Sequence, residues 1–273
     1  MQADRLQLQR FEIKYLVPET VALAARDFVR PYLTLDEFGA TLPQFSYPVH
    51  SLYLDSNDLV FYRQTINGDK NRYKLRIRFY DDKPGSPAFL EIKKRTNNTI
   101  SKQRCAVQRE AIAQILAGQY PEANLIASES PDHLFSLQAF VQMVLMNRAK
   151  PTAHVAYIRE AWISRVDNSV RVTMDRSVRF ESEPESRIST KMKAPMLVFG
   201  KQVVLELKFT NRFPDWFKEF VRVFNLTQCS AAKYADGVVV FGEDRTKNET
   251  YFSPSRQVIP GWDSSELIKR KMA

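Results

Sequence analysis

The stretch Asn71-Arg-Tyr-Lys-Leu-Arg-Ile-Arg-Phe-Tyr80 decides the fold class, because charged and apolar residues alternate along it. Successive side chains of a β-strand point to opposite faces. Residues 74, 76 and 78 (Lys, Arg, Arg) therefore share one face, and residues 75, 77 and 79 (Leu, Ile, Phe) share the other. Turn residues at 81–87 separate this strand from a second predicted strand at 89–95. The two strands predict an antiparallel hairpin.

The same alternation recurs in four more predicted strands, each with a charged face opposite an apolar one. Their charged faces are Arg10, Glu12 and Lys14; Glu91, Lys93 and Arg95; Arg171, Thr173 and Asp175; and Glu206 with Lys208. A single strand with this pattern is ordinary, because many antiparallel sheets have one face in the core and the other in solvent. If all five strands close into a barrel with their apolar faces outward under helices, the cations converge inside. They then need an anion, and a polyanion fits because arginine binds phosphate oxygens bidentately.

Two glutamates, Glu91 and Glu206, each lie two residues before a lysine on the same strand face. A carboxylate beside bound phosphate is repelled unless a cation lies between them. Mg²⁺ and Mn²⁺ are commonly held by one or two carboxylates together with phosphate oxygens. Both glutamates are therefore predicted to bind one of these metals. The alternative is that each forms a structural ion pair with a neighbouring Lys or Arg.

The remaining segments predict one domain that combines strands and helices. Further strands are predicted at residues 10–17, 47–54, 100–107, 152–163, 169–175 and 203–209, and helices at 18–30, 57–64, 109–116, 133–147 and 214–225. The regular strand–helix alternation of parallel sheets is absent, so we expect an α+β fold with an antiparallel sheet or barrel. Residues 1–245 form the predicted domain, and 246–273 a polar C-terminal tail in which 264–271 could form a short helix.

Composition narrows the class of protein. The chain has 273 residues, and 40 Lys+Arg against 31 Asp+Glu give a net charge of +9. This excess suggests an anionic partner, although a basic surface without such a role gives the same total. The 2 cysteines and 3 histidines show no metal-binding spacing. No signal-peptide pattern opens the chain, and the longest apolar run, 237–241, has the length of a strand. We therefore expect a cytoplasmic protein with no transmembrane segment.

Eight short motifs follow one another along the chain. They are Arg10-Phe-Glu-Ile-Lys-Tyr15, Ser51-Leu-Tyr-Leu-Asp55, Asn71-Arg-Tyr-Lys-Leu-Arg-Ile-Arg78, Phe89-Leu-Glu-Ile-Lys93, Tyr157-Ile-Arg159, Arg171-Val-Thr-Met-Asp175, Leu205-Glu-Leu-Lys-Phe209 and Ala232-Lys-Tyr234. Each is weak alone. As an ordered set over about residues 10–235, they resemble the VTC domain of the vacuolar transporter chaperone polyphosphate polymerases, within the triphosphate tunnel metalloenzymes.

The resemblance implies an eight-stranded antiparallel β tunnel with helices outside, in which the terminal phosphoryl group of ATP is added to a polyphosphate chain. The implied tunnel cations are Lys14, Arg76, Arg78, Lys93, Arg159, Arg171 and Lys233, and the implied metal ligand is Glu206. We expect Arg76, Arg78, Lys93, Arg159 and Arg171 to act on the transferring group, and the remaining tunnel lysines to bind the chain. Lys102 is a further expected chain contact, and Lys74 and Lys208 share these strand faces. Tyr234 is expected either to support the tunnel wall or to touch the nucleotide.

Two departures refine the resemblance. The cyclase and thiamine-triphosphatase branch opens with a Glu-x-Glu-x-Lys strand, and Arg10 replaces its first Glu here, as in the polymerase branch. The eukaryotic polymerases also carry a phosphate-sensing domain and membrane helices, which this sequence does not show. Coupling of synthesis to membrane transport is therefore not predicted, and a membrane-associated partner protein stays open.

Three alternative functions follow from the same residues. A polyphosphate-binding module without turnover and a metal-dependent tripolyphosphatase would both use the same cations. A nucleic-acid binder is disfavoured, because the aromatic residues are predicted mostly on the apolar faces, away from the phosphate-binding side where bases would stack. No GxxxxGK[ST] motif is present, which excludes a P-loop enzyme on that motif.

Overall fold

The protein is described by a computed structural model that covers residues 10–97, 99–167, 169–210 and 212–247. The strands are β1 (Arg10–Val17), β2 (Thr34–Leu35), β3 (Ser46–Asp55), β4 (Asn71–Phe79), β5 (Ala88–Thr96), β6 (Thr99–Val107), β7 (Lys150–Ile163), β8 (Val170–Ser182), β9 (Met196–Leu197) and β10 (Val203–Thr210). The α-helices are α1 (Glu19–Val29), α2 (Glu37–Ala40), α3 (Val60–Ile66), α4 (Ala111–Leu116), α5 (Pro131–Asn147), α6 (Asp215–Val223), α7 (Lys233–Phe241) and α8 (Glu243–Lys247). Residues Pro43–Phe45 and Ala123–Leu125 form 3-10 turns.

Eight long strands form one continuous sheet in the order β1-β10-β8-β7-β3-β4-β5-β6, and every pair in it is antiparallel. The short strands β2 and β9 add to β7 and β8. The predicted hairpin is β4–β5, where Arg76 lies opposite Glu91 and Arg78 opposite Phe89. The prediction of an α+β fold with an eight-stranded antiparallel sheet is therefore confirmed.

The sheet curves into a channel, but backbone hydrogen bonds between the described strands do not close it into a barrel. Among the described residues, β1 and β6 are the two ends of the pairing order, and their Cα atoms approach within 8 Å. A barrel closed by backbone hydrogen bonds needs each strand to be staggered against its neighbour, and these staggers must add up to a fixed total around the barrel. Here side chains cross inside the channel instead, where Lys93 Nζ of β5 lies 2.7 Å from Glu12 Oε2 of β1.

The outer face of the sheet is apolar and is covered by helices on two sides. Alternate residues of β4 and β5, such as Leu75, Ile77 and Leu90, pack against α4 and α5. Alternate residues of β8 and β10, such as Met174 and Leu205, pack against α1 and α6. Burial of these side chains stabilises the fold and leaves their charged neighbours pointing into the channel.

A third apolar cluster lies inside the channel at one end. Val204, Phe180 and Tyr53 of the sheet pack there against Val238 of α7. The apolar run 237–241, whose length matches a strand, is the C-terminal half of this helix, because runs this short do not distinguish strand from helix by pattern. Gly237 lies so close to the Phe180 ring that an added Cβ would collide with it. Helix α7 therefore closes this end of the channel.

The predicted domain boundary at 245 falls within α8, and residues 248–273, with the short helix suggested at 264–271, lie outside the described residues. None of the helices given above has the length and apolar character that a membrane span requires.

Candidate functional site

The curved sheet encloses a cavity of about 690 Å³ whose lining is strongly basic. Its lining contains eleven cationic side chains: Lys14, Lys74, Arg76, Arg78, Lys93, Lys102, Arg104, Arg159, Arg171, Lys208 and Lys233. Among the residues that the structure describes, three carboxylates share the lining: Glu12, Asp81 and Glu206. The strand alternation produces this arrangement, because the apolar residues that flank each cation face the outer helices. The cavity therefore holds an excess of positive charge that a bound anion would compensate.

Glu206 lies at the centre of one cation cluster. Its carboxylate oxygens are 2.5 Å from Lys208 Nζ, 2.8 Å from Lys233 Nζ, 3.6 Å from Lys14 Nζ and 3.7 Å from the Arg159 guanidinium. Burial alone would raise the pKa of Glu206, but these cations hold it well below its usual range. Glu206 is therefore ionised and fixes four cations around itself.

Lys208 keeps its proton less firmly than the other cations around Glu206. Burial lowers the pKa of Lys208 to about 8, even though Glu206 favours the charged form. Lys233 behaves in the opposite way. Burial would lower its pKa, but Asp175 and Glu206 raise it above the ordinary lysine value.

Asp175 supports the same cluster from below the cavity surface. Its two oxygens accept hydrogen bonds of 2.7 Å each from Nε and Nη2 of Arg159, and Lys233 Nζ lies 2.7 Å away. Such a bidentate pair fixes the plane of the guanidinium. Burial would raise the pKa of Asp175, but Arg159 and Lys233 lower it. Asp175 is thus a positioning residue for two cavity cations.

Glu91 holds a second cluster beneath the lining. The side chain is 1% exposed, and its oxygens lie 2.6 Å from Arg76 Nη2 and 2.7 Å from Lys102 Nζ. Arg78 and Arg104 follow at 3.9 Å and 3.6 Å. Burial would raise the pKa of Glu91, but Arg76 and the other cations depress it strongly. The prediction of Glu91 as a metal ligand does not fit this placement, because its carboxylate lies outside the cavity lining and cannot share a metal with a ligand bound there.

Two tyrosines on the inner face orient the central arginines. Tyr53 Oη accepts a hydrogen bond of 3.0 Å from Arg76, and Tyr157 Oη accepts one of 3.1 Å from Arg78. Burial would raise the pKa of Tyr53, but the Arg76 charge lowers it. The Tyr157 ring also lies 5.0 Å from the Arg159 guanidinium and 5.1 Å from Lys233 Nζ. The expectation that aromatic residues lie mostly away from the cations is therefore wrong for this face.

Three lysines form a row across neighbouring strands. Lys74 lies opposite Lys93, and Lys93 lies opposite Lys102. Like charges in directly opposite positions destabilise a sheet. Burial and the nearby charges of Lys14 and Lys93 lower the pKa of Lys74 well below its usual value. A bound anion along this row would relieve the repulsion.

The predicted cations all reach one cavity, whereas Tyr234 does not line it. Tyr234 is 2% exposed, its hydroxyl donates to Asp55 at 2.9 Å, and its ring stacks on Tyr53 at 4.8 Å. The alternative in which Tyr234 touches the nucleotide is therefore disfavoured, and it supports the wall from behind.

Sequence reasoning missed several functional residues. Arg104 lies two residues after Lys102 on the same strand, so alternation places both side chains on one face and could have predicted Arg104. Glu12 was on a predicted charged face but was not assigned a role. Tyr53 and Tyr157 lie in two of the motifs that carry the resemblance but were assigned no role, because their strands lack the alternation of charged and apolar residues.

The carboxylates fit a divalent cation only if substrate supplies the other ligands. Across the described ranges, no three His, Cys, Asp or Glu side chains are grouped to hold a metal ion. Glu206 and Glu12 both line the cavity and both contact Lys14 Nζ, at 3.6 Å and 3.2 Å. One or two carboxylates plus phosphate oxygens are the usual ligands of Mg²⁺ at phosphate sites. The donor set therefore suits a metal shared with a phosphate ligand.

Comparisons with known proteins place the chain in a family. The family model of the VTC domain matches residues 9–241. A Schizosaccharomyces pombe protein, vacuolar transporter chaperone complex subunit 2, is 24% identical over 133 residues, which are 45% of this chain and 18% of that subunit. The chain thus matches less than a fifth of the length of this relative.

Solved structures with similar folds are distant in sequence. A Pyrococcus horikoshii protein is 12% identical with a TM-score of 0.43, and the match covers 85% of this chain and 99% of that one. A predicted adenylate cyclase from Bacillus halodurans is 12% identical with a TM-score of 0.42, covering 81% and 94% of the two chains. Because the family model spans most of the chain, from β1 through α7, the protein belongs to the VTC domain family.

Proposed function

We propose that this protein is a polyphosphate polymerase, which transfers the terminal phosphoryl group of ATP to a polyphosphate chain held in the basic channel. The observation that carries the proposal is the cavity itself, where eleven cationic side chains outnumber the three lining carboxylates and the three buried ones beneath them, Asp36, Glu91 and Asp175. A linear polyanion supplies compensating charges along the whole cavity, which a single small anion does not. Membership of the VTC domain family supports the same substrate class.

The arginines are suited to the chemical step. Arg76 and Arg159 are each fixed by a buried acid, Glu91 and Asp175, while Arg78 is oriented by Tyr157. Phosphoryl transfer depends mainly on alignment and on stabilisation of charge at the transferring group. Guanidinium groups held in advance supply both, because they do not reorganise during the reaction. The acceptor is an ionised phosphate, so no general base is needed.

The lysines are suited to holding the chain. Lys14, Lys74, Lys93 and Lys102 lie on β1, β4, β5 and β6, on the inner face of the channel. Lysine acts as a point charge with rotatable donors, so it tolerates phosphates at different positions. A chain that advances by one phosphate at a time needs such tolerance.

Glu206, with Glu12, would hold Mn²⁺ or Mg²⁺ together with the substrate phosphates. Such a metal neutralises charge on phosphate oxygens in the transition state. Lys208 and Lys233 contact the Glu206 carboxylate, so they are placed to retain bound phosphate beside it.

The proposed function includes a partner protein and a cellular location. One relative is named as a subunit of a vacuolar transporter chaperone complex. We propose that the chain works at the cytoplasmic side, in contact with a membrane-associated partner. Free Cys105 and Cys229 are compatible with a reducing compartment.

The experiment is incubation with ATP and Mn²⁺, followed by gel separation with phosphate-polymer staining. We expect a ladder of long chains with the wild type and none with Lys93→Ala or Glu206→Ala, while Lys218→Ala, on the exposed face of α6, retains the ladder. Orthophosphate without polymer would instead establish a tripolyphosphatase. Tight polyphosphate binding without any ATP turnover would establish a binding module.

A further inference from the structure

One side of the cavity mouth is aromatic, and the Arg104 guanidinium lies 3.9 Å from the centroid of one of its rings, Phe89. Tyr47 lies at the start of β3, Tyr80 directly follows β4, and Phe89 lies at the start of β5, so all three are at the same end of the antiparallel sheet. Phe38 of α2 joins them in the cavity lining, with its ring centroid 6.0 Å from that of Tyr47. We call Phe38, Tyr47, Tyr80 and Phe89 the aromatic arc.

Phe38 is exposed but is held in a fixed position. Its side chain is 64% exposed, although the short helix that carries it is tightly attached to the mouth. Asp36, the N-cap of that helix, accepts hydrogen bonds from Gly39 N at 3.0 Å, Tyr47 Oη at 2.8 Å and Arg171 at 2.9 Å. A Cβ on Gly39 would lie 2.7 Å from the Phe45 carbonyl oxygen, so glycine permits this close attachment. An ordered, exposed aromatic ring is suited to stacking.

The aromatic arc borders directly on the arginines. Tyr47 lies opposite Arg159 in the β3–β7 pair, and Phe89 lies opposite Arg78 in the β4–β5 pair. Residues directly opposite each other have Cβ atoms about 5 Å apart. A phosphate held by these arginines would therefore leave its next attached group at the aromatic arc. Inorganic polyphosphate has no group that gains from such a surface, whereas a nucleoside does.

We propose that the aromatic arc binds the nucleobase of a nucleoside triphosphate, with Phe38 as its main stacking surface. This inference rests on the proposed function, because it requires the triphosphate to lie among the channel arginines. It adds that the mouth distinguishes a nucleotide donor from an inorganic polyphosphate. The distinction arises because both ligands use the cations, but only the nucleotide uses the aromatic arc.

The test is calorimetric titration of ATP and of inorganic tripolyphosphate, in EDTA so that no turnover occurs. Stacking of one base on an aromatic side chain contributes about 1–3 kcal/mol. Phe38→Ala should therefore weaken ATP binding by at least about fivefold and leave tripolyphosphate binding within about twofold of wild type. Phe38→Trp should retain the ATP affinity. Phe135→Ala is the matched control, because Phe135 of α5 is 63% exposed and lies outside the cavity lining.

Two results would overturn the inference. In one, Phe38→Ala binds ATP as tightly as Phe135→Ala does. In the other, Phe38→Ala loses ATP and tripolyphosphate affinity by the same factor, which indicates damage to the channel instead of loss of a base contact. Both results concern ATP binding and not polymer formation, so the inference and the proposed function are tested separately. If Phe38→Ala weakens ATP binding as expected but the wild type forms no polymer ladder, only the proposed function is contradicted.

Discussion

Glu206 shows how a single buried carboxylate organises the cations of the channel. Four cationic side chains lie within 4 Å of it, and the residue itself is 3% exposed. In the free protein it offsets part of their repulsion. When phosphate enters, the same negative charge opposes binding, unless a metal lies between. Glu206 is therefore expected to affect stability and ligand binding in opposite directions.

Replacement of this carboxylate tests its role in the free protein. Glu206→Gln keeps the shape but leaves Lys208 and Lys14 with one fewer counter-ion. Because a buried charge without its partner is costly, the free energy of unfolding should fall by about 3 kcal/mol. Urea unfolding measures this loss, and tripolyphosphate should restore much of it. Glu219→Gln, on the exposed side of α6, should change stability by less than about 0.5 kcal/mol. Equal stability of the two variants would contradict this role.

The pKa of Lys208 predicts how anion affinity depends on pH. In the free protein it is lowered to about 8, and bound phosphate favours the protonated form. ATP affinity in EDTA should therefore fall by up to about tenfold as pH rises from 7.5 to 9.5. Lys208→Arg should make this dependence shallower, since arginine stays charged, and Lys102, whose pKa burial lowers to about 7, accounts for the remainder. Identical pH profiles for both proteins would refute the assignment.

The lowered pKa of Lys208 also determines how the stability of the free protein changes with pH. The pKa of Lys208 is lower in the folded chain than the ordinary value of 10.5, so the unfolded chain binds more protons between those two values. The cost of the buried charge is therefore present below pH 8. It is relieved as pH rises from about 8, and this residue makes the free protein more stable over that interval.

At the scale of elements, α7 joins the closed end of the channel to the cation cluster. Its first residue, Lys233, contacts Asp175 and Glu206, while Ala235 and Val238 pack inside the sheet. The position of Lys233 therefore depends on how closely the rest of the helix approaches β8. Gly237 lies directly against the Phe180 ring of β8.

A methyl group at Gly237 should separate α7 from the sheet. Alanine normally favours a helix by about 1 kcal/mol over glycine. Here its Cβ collides with the Phe180 ring. Overpacking of this kind costs about 1–3 kcal/mol, so Gly237→Ala should lower the free energy of unfolding and weaken tripolyphosphate binding through Lys233. Val239→Ala is the control in the same helix, because Val239 is 57% exposed. An unchanged urea midpoint for Gly237→Ala would contradict this packing.

Strand alternation predicted β1, β4, β5 and β10 well, because each has one charged and one apolar face. The predicted strand at 169–175 is too short: β8 continues to Ser182, after an irregularity in its pairing with β7 near Ala156. Beyond that point, Val178 and Phe180 pack against α7 inside the channel. The sequence could not indicate this, because charged residues keep the same two-residue spacing through Arg179 and Glu181, whereas the pairing irregularity turns Val178 and Phe180 to the inner face.

The candidate site, like the fold, was predictable from the sequence only in part. Its cations were predictable, because the charged face of a strand normally contacts either solvent or a bound anion. Glu91 could not be separated from Glu206 by pattern, because both precede a lysine by two residues. Both are surrounded by cations, and only the folded arrangement shows that Glu91 lies beneath the lining while Glu206 is part of it. The contribution of α2 to the mouth depends on the packing of Gly39 and was likewise not predictable.

At the scale of the whole molecule, the excess of cations in the channel lining is close to the net charge of the whole chain. The net charge of the chain is +9, and the lining alone has eight more cations than carboxylates. Charges on the walls of a cleft reinforce one another, because the protein around them has a low dielectric constant. The free channel should therefore attract long anions more strongly than short ones.

Affinity should consequently rise with the length of a linear phosphate. Tripolyphosphate should bind more tightly than pyrophosphate, and chains of about ten phosphates more tightly still, until the cavity is filled. Calorimetry at constant ionic strength measures the series, because added salt screens the charges. Lys93→Ala should flatten it at the longer chains, whereas Lys218→Ala should not. An affinity that does not change with length would count against a channel for a polymer.

The central claim is that ATP supplies phosphate to a growing chain. Phosphorus-31 NMR of the protein with ATP and Mg²⁺ tests it most directly, since ADP, orthophosphate and interior chain phosphates give separate signals. The account predicts that one interior phosphate appears for each ADP formed, and that Glu206→Ala produces neither. Orthophosphate rising in a one-to-one ratio with ADP, with no interior signal, would contradict synthesis and establish hydrolysis.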